Sequence, residues 1–145
     1  MRKVFCKIFG TLLVVLFLSC ENVFHNDALD FMWRLDSVEY SDSLDFYGKP
    51  CIKELKEGLW VSFARDLIWL ESSNSDFSTI GILIDKGDYL ILDFSMYNEE
   101  NWKGINYGLK SFGIDSSVST FSVTELNRKH MILTGRKTVL RFTKW

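Results

Sequence analysis

The sequence predicts an all-β protein, an antiparallel up-and-down barrel of about eight strands. Short runs rich in β-branched and aromatic residues recur along the chain, and several of them alternate between apolar and polar positions. The turns between them are short and polar, which favours antiparallel neighbours, because parallel neighbours need crossovers of a dozen or more residues. Closing so many strands into a barrel removes their unpaired edges.

The start of the chain has the features of a secretory signal. Basic residues open it, an apolar run covers residues 8–18, and the small residue Ser19 precedes Cys20. This run is too short to span a bilayer, since a spanning helix needs about 20 apolar residues. We therefore expect residues 1–19 to be removed as a signal peptide.

The residues Phe17-Leu18-Ser19-Cys20 resemble the lipobox of bacterial lipoproteins, whose cysteine is lipidated and becomes the new N-terminus. The resemblance implies a lipid on Cys20 and a place in the bacterial cell envelope, on the periplasmic or outer-membrane face. Phe17 stands where that family prefers leucine. Ordinary secretion and a short uncleaved anchor are the alternatives.

Processing before Cys20 leaves a chain of 126 residues, a length typical of one domain. It carries 14 basic and 19 acidic residues, a net charge of −5 with neutral histidines. Such a surface repels nucleic acid phosphates, so we predict no nucleic acid partner. Cys51, beside the only proline, is then the one unmodified cysteine, and we interpret it as a half-buried small hydrophobic residue.

The domain itself is predicted to begin at residue 31. Residues 20–30 show no hydrophobic period, so we interpret them as a lipidated tether and residues 31–145 as the barrel. Apolar positions alternate from residue 31 to Leu35, which is typical of a half-buried strand. After Leu35 the apolar residues fall on the other set of alternate positions, so either a bulge near Ser37 or the end of the strand follows.

The region after this strand is ambiguous. Residues 41–50 are rich in Ser, Asp and Gly and predict a loop. Apolar spacings of three and four then fit one face of a helix, but alternation favours strands at 59–64 and 67–72 joined by a turn at Arg65-Asp66. A short helix over 52–57 stays open.

The second half of the chain has clearer β patterns. The runs 80–84 and 89–94 flank Asp85-Lys86-Gly87-Asp88, where glycine supplies the positive φ of a hairpin turn. A polar loop is predicted over 97–103, and a glycine-punctuated stretch over 104–113 suggests one irregular strand.

The sequence closes with three short predicted strands, at 120–126, 130–133 and 138–144. The short polar turns between them again favour antiparallel pairing.

An early Trp33-Arg34-Leu35 and the closing runs 121–126, 131–133 and 140–144 resemble the small lipocalin-like lipoproteins of Gram-negative bacteria. The resemblance implies an eight-stranded meander barrel, in a family of mostly unassigned function. In true lipocalins a glycine stands two residues before the tryptophan, whereas this chain has Phe31 there. In true lipocalins an arginine also packs over the tryptophan. Alternation turns Arg141 outward, so we do not transfer that pairing.

No pattern in the sequence predicts an enzyme. Asp85, Asp88 and Asp93 do not have the spacing of an EF-hand, and they are placed to cap and solubilise a turn. His130 begins a strand and has no second histidine or cysteine at zinc-ligand spacing. Nucleophile-elbow and phosphate-loop patterns are absent from the sequence. We predict no catalytic residue, no metal site and no cofactor.

Aromatic side chains are the most informative feature for function. Flat side chains with polar tips suit small, largely apolar ligands, so we predict a ligand site at the barrel mouth. The loops 41–50 and 97–104 would form its rim. Its predicted residues are Trp60, Trp69, Tyr89, Tyr97, Trp102 and Tyr107.

The alternative is that aromatic bulk fills the barrel, which in an eight-stranded barrel leaves room for little else. A filled barrel would act through an exposed face, by binding an envelope protein or inhibiting an enzyme. The aromatic content favours this filled version.

Overall fold

The computed structural model describes residues 28–55, 58–97 and 99–145. The predicted signal peptide, Cys20 and most of the predicted tether lie outside these residues.

The described chain contains nine strands and one helix. In order these are β1 (Met32–Leu44), β2 (Pro50–Glu54), β3 (Leu59–Ala64), β4 (Leu67–Ser72), β5 (Ser78–Asp85), β6 (Tyr89–Asp93), α1 (Glu99–Ser111), β7 (Val118–Leu126), β8 (His130–Thr134) and β9 (Thr138–Lys144).

The sheet closes on itself through β1, which pairs with β3 on one side and with β9 on the other. Eight antiparallel strands therefore form a barrel, and the predicted fold class is confirmed. The extra strand β2 pairs with the second half of β1, so that the two form a hairpin arm beside the barrel. We call the end where β1 begins the tether end, and the end that carries α1 the helix end.

Several local predictions are confirmed. β3 and β4 have the predicted bounds, and the turn between them gives Arg65 a φ of 52°. The register of β1 against β9 shifts between Leu35 and Ser37, which is the predicted bulge. The proposed helix over 52–57 was wrong in its described part, because β2 covers Pro50–Glu54.

The prediction of an irregular strand over 104–113 was wrong. The prediction that the whole of 97–103 forms a loop was wrong as well. Helix α1 runs from Glu99 to Ser111 instead. Its Ile105 and Leu109, followed by Phe112, recur at spacings of four and three, which places them on one side that packs against the core. Glycine obscured this pattern: at Gly108 the Phe77 ring fills the space that a Cβ would need, so glycine is a packing requirement there.

The barrel interior is filled by its own side chains. Inward positions on the strands carry large apolar residues. At the helix end, α1 and the residues after it add Leu109, Phe112 and Ile114, and near the start of β1 Leu29 is buried. The Trp33 indole N–H donates a hydrogen bond to the Leu29 carbonyl at 3.2 Å. The void that remains is about 10 Å³, roughly the space of one water.

A matched pair of leucines on β4 tests this filled interior. Leu70 is fully buried and Leu67 is half exposed on the opposite face. Leu70→Ala should lower the free energy of unfolding by about 2–5 kcal/mol, because it leaves a cavity in the core. Leu67→Ala should lower it by less than about 1 kcal/mol. Urea unfolding of both variants measures the difference, and equal losses would contradict the assignment of faces.

Candidate functional site

The most unusual surface of the molecule is one side of the barrel exterior. Outward positions on β4, β5 and β6 carry large apolar side chains that are 37% to 50% exposed. We call this surface the apolar wall: Leu67, Trp69, Ile80, Ile82, Ile84 and Tyr89. Together they expose on the order of a few hundred Å² of largely apolar surface, the size of the largest patch on a typical monomer, and such a patch is often functional.

Strand register joins the residues of this wall on β4 and β5, whereas on β6 Asp93 lies directly opposite Ile82. Leu67 lies directly opposite Ile82, and Trp69 lies opposite Ile80, so side chains on β4 and β5 are close neighbours. The Trp69 indole N–H donates to Ser78 Oγ at 2.7 Å, which fixes the orientation of the ring on the surface. The wall is therefore a preformed apolar surface on the outside of a closed barrel.

The opposite side of the barrel is polar. On it the Thr124 and Thr134 hydroxyls are hydrogen-bonded at 3.2 Å. An Arg141 guanidinium N–H donates to Glu39 at 2.7 Å, and Arg141 points outward as predicted. The apolar wall thus contrasts with this polar side of the barrel, while Phe46, Tyr107 and Trp145 are exposed elsewhere on the molecule.

Charged residues border the apolar wall at both ends. Arg65 and Asp66 form the β3–β4 turn at the tether end, and the β5–β6 turn lies at the same end. Glu71 and Asp93 lie at the helix end of β4 and β6. Hydrogen bonds from the Ser95 side chain and backbone N–H lower the pKa of Asp93, so this border carries negative charge at neutral pH.

The structure does not gather the predicted ligand residues at the barrel mouth. Trp60, Trp69 and Tyr89 lie on the outer face, because they alternate with buried neighbours on their strands. Trp60 packs edge-on against Trp145, with ring centroids 4.7 Å apart. Alternation within each strand is the signal that could have shown this, because the apolar neighbours of these rings occupy the inward positions.

The other three predicted residues lie at the helix end. The Tyr97 hydroxyl accepts hydrogen bonds from Thr79 Oγ1 at 2.8 Å and from the Ile80 backbone N–H, so it joins its loop to β5. Tyr107 is 80% exposed on α1. Trp102 belongs to the same helix, in the part whose side chains lie outside the described residues.

A cleft of about 270 Å³ lies at the helix end beside α1. Leu59, Phe77 and Phe112 supply its apolar surface, and Tyr107 and Lys53 are among its polar lining residues. This volume is just below the range of about 300–1,000 Å³ typical of small-molecule sites. The cleft brings Tyr107, one of the predicted aromatic residues, to a cavity at the helix end.

A shallower depression of about 520 Å³ lies between the residues after α1 and the β8–β9 turn, and its lining is of mixed polar and apolar character. Near it, burial and then the negative charge of Asp115 raise the pKa of Tyr40. The prediction of a rim loop over 41–50 was wrong at both ends, because β1 extends to Leu44 and β2 begins at Pro50. The residues between them form the tip of the hairpin arm, where Phe46 is 95% exposed.

The titratable side chains predicted to cap turns or to lie at strand ends are found at the surface of the described structure. None of the described His, Cys, Asp and Glu side chains form a group of three or more suited to a metal ion. His130 is exposed, and the Asp85 carboxylate accepts the Gly87 backbone N–H at 2.7 Å, which caps the turn as predicted. Cys51 is exposed rather than half-buried, because β2 is the outer strand of the arm. Within the described ranges, no helix combines the length and apolar character required to cross a bilayer.

Comparison with known proteins agrees with this architecture. A family described as the lipocalin-like domain matches residues 14–145. Two crystal structures are similar: a lipocalin-like protein from Bacteroides uniformis ATCC 8492, with a TM-score of 0.61, and an uncharacterized protein from Bacteroides eggerthii DSM 20697, with a TM-score of 0.58. Each is 20% identical, over 81% of this chain and 99% of the other. No curated protein matches the chain significantly.

Proposed function

The chain belongs to the lipocalin-like domain family, and from this premise we propose that it is a lipid-anchored binding module of the bacterial cell envelope that binds a protein partner on the outside of a filled barrel. Barrels of this family are typically binding folds rather than catalytic ones. The apolar wall is the observation that carries the proposal.

The filled interior supports an external binding surface. A void of about 10 Å³ holds no apolar ligand. The wall, in contrast, offers Trp69 and Tyr89 half exposed on rigid strands, and tryptophan and tyrosine are enriched among the residues that contribute most to protein interfaces. Desolvating this surface against a partner is favourable by roughly 25 cal/mol per Å² of apolar area.

The proposed anchor gives the wall an orientation. A lipid on Cys20 would join the barrel through residues 21–27 at the tether end, next to the start of β1. Seven residues reach at most about 25 Å when fully extended. The tether end would therefore lie within about that distance of the membrane, and a partner of the wall would lie in the same compartment.

A second candidate is a small, largely apolar ligand in the cleft beside α1. Its apolar lining and the nearby Tyr107 hydroxyl favour this function, and its volume of about 270 Å³ accommodates a small molecule. The cleft lies at the mouth rather than in the interior, so the two candidates use separate surfaces.

The anchor is tested by Cys20→Ser in the full chain. We expect this variant to move from the membrane fraction to the soluble fraction, because one thioether-linked lipid group is then lost. Cys51→Ser is the matched control and should leave the membrane fraction unchanged. Membrane association of Cys20→Ser at the wild-type level would show that the lipoprotein reading is wrong.

The binding surface is tested by photo-crosslinking in cells. A photoreactive phenylalanine at position 69, on the apolar wall, should give a discrete protein adduct, whereas the same group at position 124, on the polar side, should give none. Adding Ile80→Lys should remove the adduct, because it places a charge in the middle of the contact. Adducts of equal yield at both positions, or none at either, would contradict a protein partner on the wall.

A further inference from the structure

We propose that the outer edge of β2 and the adjoining cleft beside α1 bind an extended peptide segment of a partner protein, which pairs with β2 as an added strand. The favoured segment carries an apolar residue, any residue and an acidic residue, in that order. This inference goes beyond the proposed function, because it concerns a surface separate from the apolar wall. The unpaired backbone of β2 is the observation that carries it.

The register of the hairpin arm leaves one edge of β2 open. β2 pairs with β1, and the Leu55 backbone N–H donates to the Asp36 carbonyl at 2.8 Å. Successive residues of an antiparallel strand direct their backbone groups to opposite edges. The N–H and C=O groups of Ile52 and Glu54 therefore point away from β1. Among the described residues no strand pairs with this outer edge, and all five residues of β2 are exposed.

This open edge borders the cleft beside α1. β2 and β3 pair with the same edge of β1, since β9 occupies the other one, and β3 pairs with β4 on its far side. The open edge of β2 therefore faces the end of β4 and the β4–β5 turn. Residues of β2, of the end of β4 and of this turn line the cleft together: Lys53, Leu55, Ser72 and Ser75.

The cleft accepts one apolar side chain of an added strand. Its apolar lining includes Leu59, Phe77 and Phe112, and the two phenylalanine ring centroids are 6.0 Å apart. A residue of the added strand opposite Leu55 has its side chain on the same face as Leu55, and this face lines the cleft. The cleft volume of about 270 Å³ is therefore used by a side chain that the paired backbone holds in place.

Lys53 gives the cleft a preference for an acidic residue. It is the one charged residue among the described residues that line the cleft. Antiparallel pairing is slightly more stable per residue than parallel pairing. In an antiparallel added strand, the second residue after the one opposite Leu55 lies opposite Lys53, where an opposite charge is stabilising. The order apolar, any residue, acidic follows from this geometry.

The same edge disfavours a second copy of this chain as the occupant. Antiparallel pairing of two β2 strands centred on Lys53 or on Glu54 places like charges directly opposite each other, which is destabilising. Pairing centred on Ile52 places Pro50 against Glu54, and proline has no N–H to donate. A separate peptide with an acidic residue has neither disadvantage.

A peptide array tests the predicted specificity. It carries variants of the peptide Lys-Thr-Leu-Thr-Glu-Thr-Lys in which the third and fifth residues are replaced by every amino acid. We expect the full chain, purified in mild detergent, to select apolar residues at the third position and Asp or Glu at the fifth. Lys53→Glu should change the fifth position to Lys or Arg, and Thr124→Lys on the polar side should leave both positions unchanged. Retention by an unselective array, or an acidic preference that survives Lys53→Glu, would overturn the inference.

A proline on the open edge tests the added strand. Ile52→Pro removes an outward N–H, which edge strands tolerate, whereas Ile52→Ala removes the same side chain and keeps the N–H. Ile52→Pro should raise the dissociation constant for Lys-Thr-Leu-Thr-Glu-Thr-Lys about tenfold or more relative to Ile52→Ala. Fluorescence anisotropy of the labelled peptide measures this ratio, and circular dichroism checks the folding of both variants.

Hydrogen exchange in the unsubstituted chain gives a second measurement that does not depend on the folding of a variant. Saturating peptide should slow exchange of the Ile52 and Glu54 backbone amides about tenfold, because the added strand accepts their hydrogen bonds. Equal affinity of Ile52→Pro and Ile52→Ala, or unchanged exchange at both amides, would overturn the added strand and make the cleft a site for side chains or small molecules alone. Neither result affects the crosslinking test at position 69, so failure here and failure of the proposed function are distinguishable.

Discussion

The pleat of a closed eight-stranded sheet is the constraint on which the rest of this structure depends. Closure gives each strand one face toward a narrow interior and one toward solvent, so successive residues point alternately to the inside and to the outside. Trp33, Leu35 and Leu70 fill the inside, so Arg34 and Trp69 must lie outside. Both the filled core and the apolar wall are consequences of this one geometric rule.

This constraint separates the present barrel from one that carries its ligand inside. Helix α1 and the residues after it place Leu109, Phe112 and Ile114 in the helix end, and their bulk completes the core there. Binding capacity is then left to surfaces: the apolar wall along β4, β5 and β6, and the cleft beside α1. The wall is an open surface built on strands rather than a concavity, which favours a protein partner over a small molecule.

Much of the fold could be predicted because strand alternation and turn chemistry are local. The bounds of β3 and β4 and the bulge after Leu35 are encoded in their own residues. Helix α1 was missed because Gly104 and Gly108 imitate a loop, and the reason for Gly108 is the distant Phe77 ring. The wall was missed because its continuity depends on cross-strand register, such as Trp69 beside Ile80, which is visible only once the strands are paired.

Native mass spectrometry of the anchored protein, purified in mild detergent, tests the central claim most directly. A filled barrel that binds through its exterior predicts protein-containing complexes that Ile82→Lys dissociates, and no small molecule retained by the chain. The claim would be contradicted if a stoichiometric small molecule stayed bound to the Ile82→Lys variant and the unsubstituted chain formed no protein complex.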